Sequence, residues 1–244
     1  MKLIIIRHGD PDYDNDSLTL KGDEEADLLS RWAKTQKFDA VYCSPLGRAQ
    51  KTCQACQREM GFSYETLYWL REFSATVFSP TVHTKSIPWD LMPSFFVKRP
   101  LLYHNERWME DVLFANTNIK EKYQEVKDGL EALLKKHGYE RDGKIFRPIC
   151  PNEDTIVLFC HFGILSVIFS VLTDFSPYVF FQHFCALPTS VTTMVTEERE
   201  PGKAIFRCIG FGDLSHLALG GEPPSFAGRF RETAYLQEGD CRRN

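Results

Sequence analysis

Several features that a chain of 244 residues could carry are missing from this one. Its longest apolar run after the start, Ile164 to Leu172, is broken by Ser166 and Ser170. That run is too short to cross a bilayer, so no membrane is expected as a partner. Met1-Lys2 and four apolar residues precede Arg7, which falls short of the apolar stretch of a secretory signal. The basic excess of a nucleic-acid binder is absent as well. Lys and Arg number 29 against 33 Asp and Glu, giving a net charge of −4 and a pI near 6.0, so no nucleic acid is expected. Of eight cysteines only Cys53-x-x-Cys56 stands at metal-ligand spacing. A second pair, which a structural zinc needs, is lacking, and most of the cysteines sit in apolar surroundings as free buried thiols do. No internal repeat and no low-complexity segment occurs. What remains is ordinary globular composition, 43% hydrophobic and 25% charged, expected to fold as a cytosolic protein.

The chain is organised around Leu3-Ile4-Ile5-Ile6-Arg7-His8-Gly9. Continuous β-branched residues predict a strand buried on both faces, at the centre of a parallel sheet. In open α/β sheets ligands bind off the carboxyl ends of strands, which is where Arg7 and His8 stand. An arginine offers a fork of donors to phosphate or carboxylate, and the adjacent imidazole can attack or shuttle a proton. Thr19 is the expected N-cap of a helix running to about Thr35, and Phe38 to Cys43 reads as a second strand. Ser44 and Pro45 then suit the N-cap and first position of a helix whose stripe is Leu46, Ala49, Cys53, Cys56 and Met60. Arg48 lies in its first turn, off that stripe, where it can join the helix amino terminus in facing an anion.

Tyr64 to Leu70 is strand-like and ends in Arg71-Glu72. From 73 to about 118 the pattern dissolves into four prolines and many aromatics. That composition is too apolar for a disordered linker and predicts an insertion folded over one end of the sheet. Ile119 to Leu134 predicts a long helix closed at Gly138, followed by a polar loop with Pro148 and Pro151. Thr155 to Cys160 is the second strongly buried strand, and it too ends in a histidine and a glycine, His161-Phe162-Gly163. A helix from Ile164 to Leu172 follows. Ser190 to Thr196 and Ala204 to Ile209 read as the last strands, and the tail from about 220 as extended.

Arg7-His8-Gly9, Leu18-Thr19-x-x-Gly22, Ser44-Pro45-Leu46-x-Arg48-Ala49-x-x-Thr52, Leu70-x-Glu72 and His161-x-Gly163 together resemble the histidine phosphatase superfamily, in its phosphoglycerate-mutase-like branch. The match is close over 1–72 and good over 155–172. The resemblance implies one domain over 1–244, a three-layer α/β/α sandwich with a mainly parallel central sheet, and a lid formed by the insertion at about 73–118. It further implies phosphoryl transfer through a phosphohistidine. His8 would be the nucleophile, Arg7, Arg48 and His161 would hold the phosphoryl oxygens, and Glu72 would protonate the leaving oxygen. Two arginines and an imidazolium would neutralise the charge, so no metal and no cofactor is implied, and the partner is a small phosphorylated metabolite. Three departures favour a phosphatase over a phosphoglycerate mutase. Asp10 adds negative charge near the phosphate unless turned away, the loop from Gly9 to Leu18 is short, and Phe73-Ser74-Ala75 lacks the mutases' small-residue pattern. A non-catalytic anion-binding module on the same fold is the alternative from another class, against which the intact set of five residues speaks.

Overall fold

The computed structural model describes residues 1–79, 84–225 and 227. In chain order these form β1 (Lys2–Arg7), a small hairpin of β2 (Pro11–Asp12) and β3 (Ser17–Leu18), α1 (Leu20–Ala33), β4 (Ala40–Cys43), α2 (Gly47–Met60) and β5 (Glu65–Thr66). A second small hairpin, β6 (Val77–Ser79) and β7 (Thr84–Ser86), opens the insertion, followed by α3 (Pro93–Phe96) and three short 3-10 turns. The chain continues through α4 (Ile119–Lys136), β8 (Tyr139–Asp142), β9 (Ile145–Pro148), β10 (Thr155–Cys160), α5 (Phe162–Thr173), α6 (Pro177–His183), β11 (Val191–Glu200), β12 (Lys203–Asp213) and α7 (Ser215–Gly220).

Eight strands build one sheet in the order β5-β4-β10-β1-β11-β12-β9-β8. It is parallel from β5 to β1 and antiparallel from β1 to β8. The expected α/β fold, with the two apolar strands adjacent and parallel at its centre, is the one observed. Both β1 and β10 are flanked by strands and covered on both faces, which is why their sequences are continuous apolar runs. Leu3 and Ile5 pack with Ile156 and Leu158 towards α4 and α5. Ile4 and Ile6 pack with Val157 and Phe159 towards α1 and α2. Thr19 caps α1 as expected, its side chain accepting from the Gly22 amide.

Four boundaries differ from the sequence reading. The strand expected over 64–70 is two residues long, because Tyr68–Leu70 coil into a 3-10 turn that buries Leu70. α5 starts at Phe162, two residues early. α2 starts at Gly47 with Leu46 as its N-cap; the Ser44 hydroxyl is engaged elsewhere. The polar loop after α4 is a β-hairpin, turned at Gly143-Lys144 with Gly143 at φ 59°, the positive φ that a two-residue hairpin loop asks of its first residue.

The insertion is part of the core. Leu91, Phe96, Leu102, Trp108, Leu113 and Phe114 are buried in the same cluster as Leu3 and Ile5. At the other end of the chain, Glu222 pairs with Lys21 and the Ser225 amide donates to Glu25 Oε1 at 3.0 Å, so 222–225 is tied to α1. The remaining tail, with Gly228, Gly239, Cys241 and Arg242-Arg243, and Pro80 of the insertion lie outside the described residues. Among the described residues no helix is long and apolar enough to cross a membrane.

Candidate active site

The carboxyl ends of β1 and β10 lie side by side, with Arg7 opposite Cys160, so the residues that follow each strand meet. His8 and His161 have ring centroids 5.0 Å apart, and both rings are buried. The His8 backbone is held from two sides. Its amide donates to the Cys160 carbonyl at 3.0 Å, and its carbonyl accepts from the Thr189 amide at 3.0 Å. Gly9 then turns the chain in a space where a Cβ would lie 2.7 Å from the Gly22 carbonyl oxygen. That contact is the physical reason for Gly22 at the start of α1, since a side chain there would overlap the Asp10 backbone.

The His8 ring has a defined orientation. Nδ1 lies 2.7 Å from the Gly9 carbonyl, which can only accept, so Nδ1 carries the proton and Nε2 presents its lone pair. Arg48 Nε faces that lone pair at 3.3 Å. Arg48 is itself aimed by Asp16, whose Oδ1 accepts from Nη1 at 2.6 Å and whose Oδ2 accepts from the Gly47 amide at 2.7 Å. The Tyr13 ring lies over the guanidinium, 5.4 Å from its centroid. With Nη1 engaged by Asp16, the Nε/Nη2 edge is turned towards His8. Arg7 donates from Nη1 to the Ala186 carbonyl at 2.6 Å. Ser44 Oγ accepts from the Leu46 amide at 3.2 Å and lies 2.7 Å from His161 Nε2. Among the described residues its hydroxyl proton has that nitrogen as its acceptor, an assignment that leaves Nδ1–H as the donor of a neutral His161.

Two atoms of this cluster, Arg7 Nε and His161 Nδ1, are buried without a partner among the described residues. Buried polar groups are nearly always satisfied, and two orphans beside an imidazole nitrogen met only by the Nε–H of Arg48 mark a place for an anion with several acceptor oxygens. Burial, reinforced by Arg7 and Arg48, pushes His8 well below the ordinary imidazole value. His161 is likewise held well below it by burial, then by His8, Arg48 and Arg7. Without an anion in the site, these effects favour a neutral His161 over the imidazolium that the resemblance implies. Burial also lowers the Arg7 guanidinium, which stays charged because its ordinary value is so high.

Glu72 approaches from the insertion side. Its Oε1 accepts from the Phe73 amide at 2.7 Å and the Ile164 amide at 3.0 Å, at the amino terminus of α5. Burial nevertheless raises its pKa above the ordinary carboxylate value, outweighing the backbone donors and Arg7. Two donors on Oε1 leave Oε2 as the oxygen that could take up a proton. Gly163 makes this approach possible: a Cβ there would overlap the Trp89 ring and lie 2.7 Å from Glu72 Oε1.

All five residues singled out from the sequence, Arg7, His8, Arg48, Glu72 and His161, therefore surround one centre. Asp10 is turned away, its carboxylate accepting from the hydroxyls of Thr19 and Ser225. Three supporting residues were not foreseen. Asp16 aims Arg48, Ser44 engages His161 Nε2, and Thr189 holds the His8 carbonyl. The run Asp10, Asp12, Asp14, Asp16 was a signal for the first. Thr189 had none, although it is fully buried at φ 56°, a conformation unusual for a β-branched residue. Among the described residues no cluster of three His, Cys, Asp or Glu is placed to hold a metal ion.

Comparison with known proteins bears on the family and the fold. The model of the histidine phosphatase superfamily (branch 1) matches residues 3–206. A search among curated proteins finds no match. Solved structures of the same fold include a phosphoserine phosphatase mutant of Entamoeba histolytica in complex with phosphoserine, at 21% identity and TM-score 0.59, covering 88% of this chain and 98% of that one. A putative alpha-ribazole-5'-P phosphatase of Escherichia coli matches at 19% identity and TM-score 0.57, covering 88% and 98%. A phosphoglycerate mutase of Bacillus anthracis matches at 16% identity and TM-score 0.60, covering 91% and 97%.

Proposed function

The chain belongs to the histidine phosphatase superfamily, branch 1, and on that premise we propose that it is a phosphatase hydrolysing a small phosphomonoester through a phosphohistidine. The observation that carries this reading is the pair of orphaned buried donors, Arg7 Nε and His161 Nδ1, on either side of His8 with its Nε2 lone pair turned inward. In the first half-reaction the Nε2 lone pair bonds to phosphorus while the phosphorus–oxygen bond to the leaving group breaks in line with it. Glu72 Oε2 gives its proton to that departing oxygen. Arg7, Arg48 and His161 donate to the three equatorial oxygens, whose charge is what the protein chiefly has to meet. In the second half a water attacks phosphorus, its proton passes to the Glu72 carboxylate, and the phosphorus–nitrogen bond returns its electron pair to Nε2. The sum is ester and water to alcohol and inorganic phosphate.

Hydrolysis is favoured over mutase chemistry by the loop after Gly9. It is short and folds down on Arg48 through Asp16, close to where a second phosphate would have to sit. The test is rapid acid-free quenching during turnover of a phosphomonoester in the presence of chelator. An acid-labile phosphoryl group should appear on His8, and His8→Ala should lose both label and turnover with its fold intact. Turnover undiminished in His8→Ala, or lost on chelation and restored by Mg²⁺, would end this reading.

A further inference from the structure

In-line displacement places the attacking nitrogen and the leaving oxygen on opposite sides of phosphorus, so the leaving group departs from His8 towards Glu72. What lines that side is aromatic. The Trp89 ring and Glu72 Oε1 both lie against Gly163. Trp89 meets Phe162 edge-on at 6.0 Å and Phe181 at 5.6 Å, and Phe181 stacks on Phe73, the residue next to the acid, at 6.0 Å.

Of the insertion's cations that could have met a second anionic group there, Lys98 is exposed to solvent and both arginines are already engaged. Arg99 pairs with Asp111 at 2.5 Å and lies over the Phe95 ring, and Arg107 pairs with Glu110 at 2.9 Å. Arg71 and Lys122, the cations nearest to Glu72 in the groove it shares with Phe73 and Trp69, both close on Glu125 at 2.8 Å. Across the site, the loop over Arg48 carries Asp12, Asp14 and Asp16. A second carboxylate or phosphate on the leaving group would face aromatic edges on one side and acids on the other.

We propose that the substrate is the phosphate ester of an apolar, aromatic-bearing alcohol without a second anionic group, and that Trp89 is the residue selecting it. This deepens the phosphatase reading and rests on it. Trp89 supplies contact area and excludes water from the Glu72 proton, while phosphate itself is held by residues Trp89 does not touch.

The test uses three esters of primary alcohols, so that leaving-group basicity is similar: 2-phenylethyl phosphate, phosphoserine and glycerol 3-phosphate. The full chain should hydrolyse the phenylethyl ester with a kcat/KM roughly tenfold or more above the other two. Trp89→Ala should bring the three to within about twofold of one another, and inhibition by inorganic phosphate should be unchanged. Trp89→Phe should restore most of the preference. Turnover in the opposite order, or a Trp89→Ala loss that falls equally on all three esters, overturns the inference and leaves the phosphatase reading standing. If none of the three is hydrolysed while inorganic phosphate still binds, both fall together.

Discussion

The two sides of the reaction centre are built on different principles. The phosphate side is made of strand ends and a helix start: Arg7 and His8 leave β1, His161 leaves β10, and Arg48 lies in the first turn of α2. Each of its polar atoms is either tied to the frame or deliberately left over, as with Arg7 Nε and His161 Nδ1. The leaving-group side is made where the insertion meets α5 and α6, with Glu72 at its centre and Trp89, Phe73, Phe162 and Phe181 as the surroundings. A fixed, charge-rich cradle suits the constant part of a substrate, and an aromatic wall suits the variable part. The lesson is that binding of phosphate and choice of ester should be separable by mutation.

The largest effect should come from the cradle. Replacing His161 by Ala removes a buried donor aimed at the phosphoryl group, and about a 10³-fold loss in kcat is expected. The loss should be the same for every ester, because an equatorial oxygen is common to all of them. A loss that varied strongly with the leaving group would break the division between the two sides.

The legibility of the two sides in the sequence follows the same division. Burial on both faces writes β1 and β10 as unbroken apolar runs, and strand-end residues then stand out by contrast; His8 and His161 were readable for that reason. Glu72 was readable only through its place in a motif, since Arg71-Glu72 looks like a surface pair until Oε1 is seen on the Ile164 amide. The partners of the cradle were hidden because they are distant in sequence: Asp16 meets Arg48 across 32 residues, and Ser44 meets His161 across 117. Ser44 even carried a local signal, that of a helix cap, and its oxygen does accept from the Leu46 amide while it also meets His161. The insertion has no period to read. Its order comes from aromatic contacts such as Trp108 with Phe114 and Tyr178, which set no spacing along the chain. Nor is it detachable, because Trp108 and Leu102 are buried in the main core.

A smaller effect, and one that depends on the ester, is expected at the acid. Glu72→Gln keeps an acceptor for the Phe73 and Ile164 amides but has no proton to give. Esters of ordinary alcohols should lose about 10²-fold in kcat/KM, while p-nitrophenyl phosphate, whose leaving oxygen needs no proton, should lose little. The pH profile sharpens this. His8 must be neutral to attack, and its lowered pKa moves the acid limb below the ordinary 6.5 for imidazole. Glu72 must be protonated to donate, and its raised pKa moves the basic limb above the ordinary 4.5. Activity should therefore fall away on the acid side as His8 protonates and on the basic side as Glu72 ionises, and the basic limb should vanish in Glu72→Gln. An unchanged basic limb in that variant would remove Glu72 from the role.

The smallest expected effect tests whether the wall positions the acid. Gly163 lies in the first turn of α5, where Ala is intrinsically the better helix former by about 1 kcal/mol, so Gly163→Ala carries no helical cost of its own. The added methyl, however, would overlap the Trp89 ring and crowd Glu72 Oε1 at 2.7 Å. Trp89 is braced against Phe162 and Phe181 and Oε1 is held by two amides, so the strain falls on the acid's position. A shift of a fraction of an ångström there should cost about tenfold in kcat for an alkyl ester. Inhibition by inorganic phosphate should not change. In the double variant Gly163→Ala/Trp89→Ala the closer contact, with the indole, is gone and only the one with Oε1 remains, so the loss added to that of Trp89→Ala should be smaller than the loss of Gly163→Ala alone. If the two losses instead multiply in full, the indole has no part in displacing the acid, and the wall does not position it.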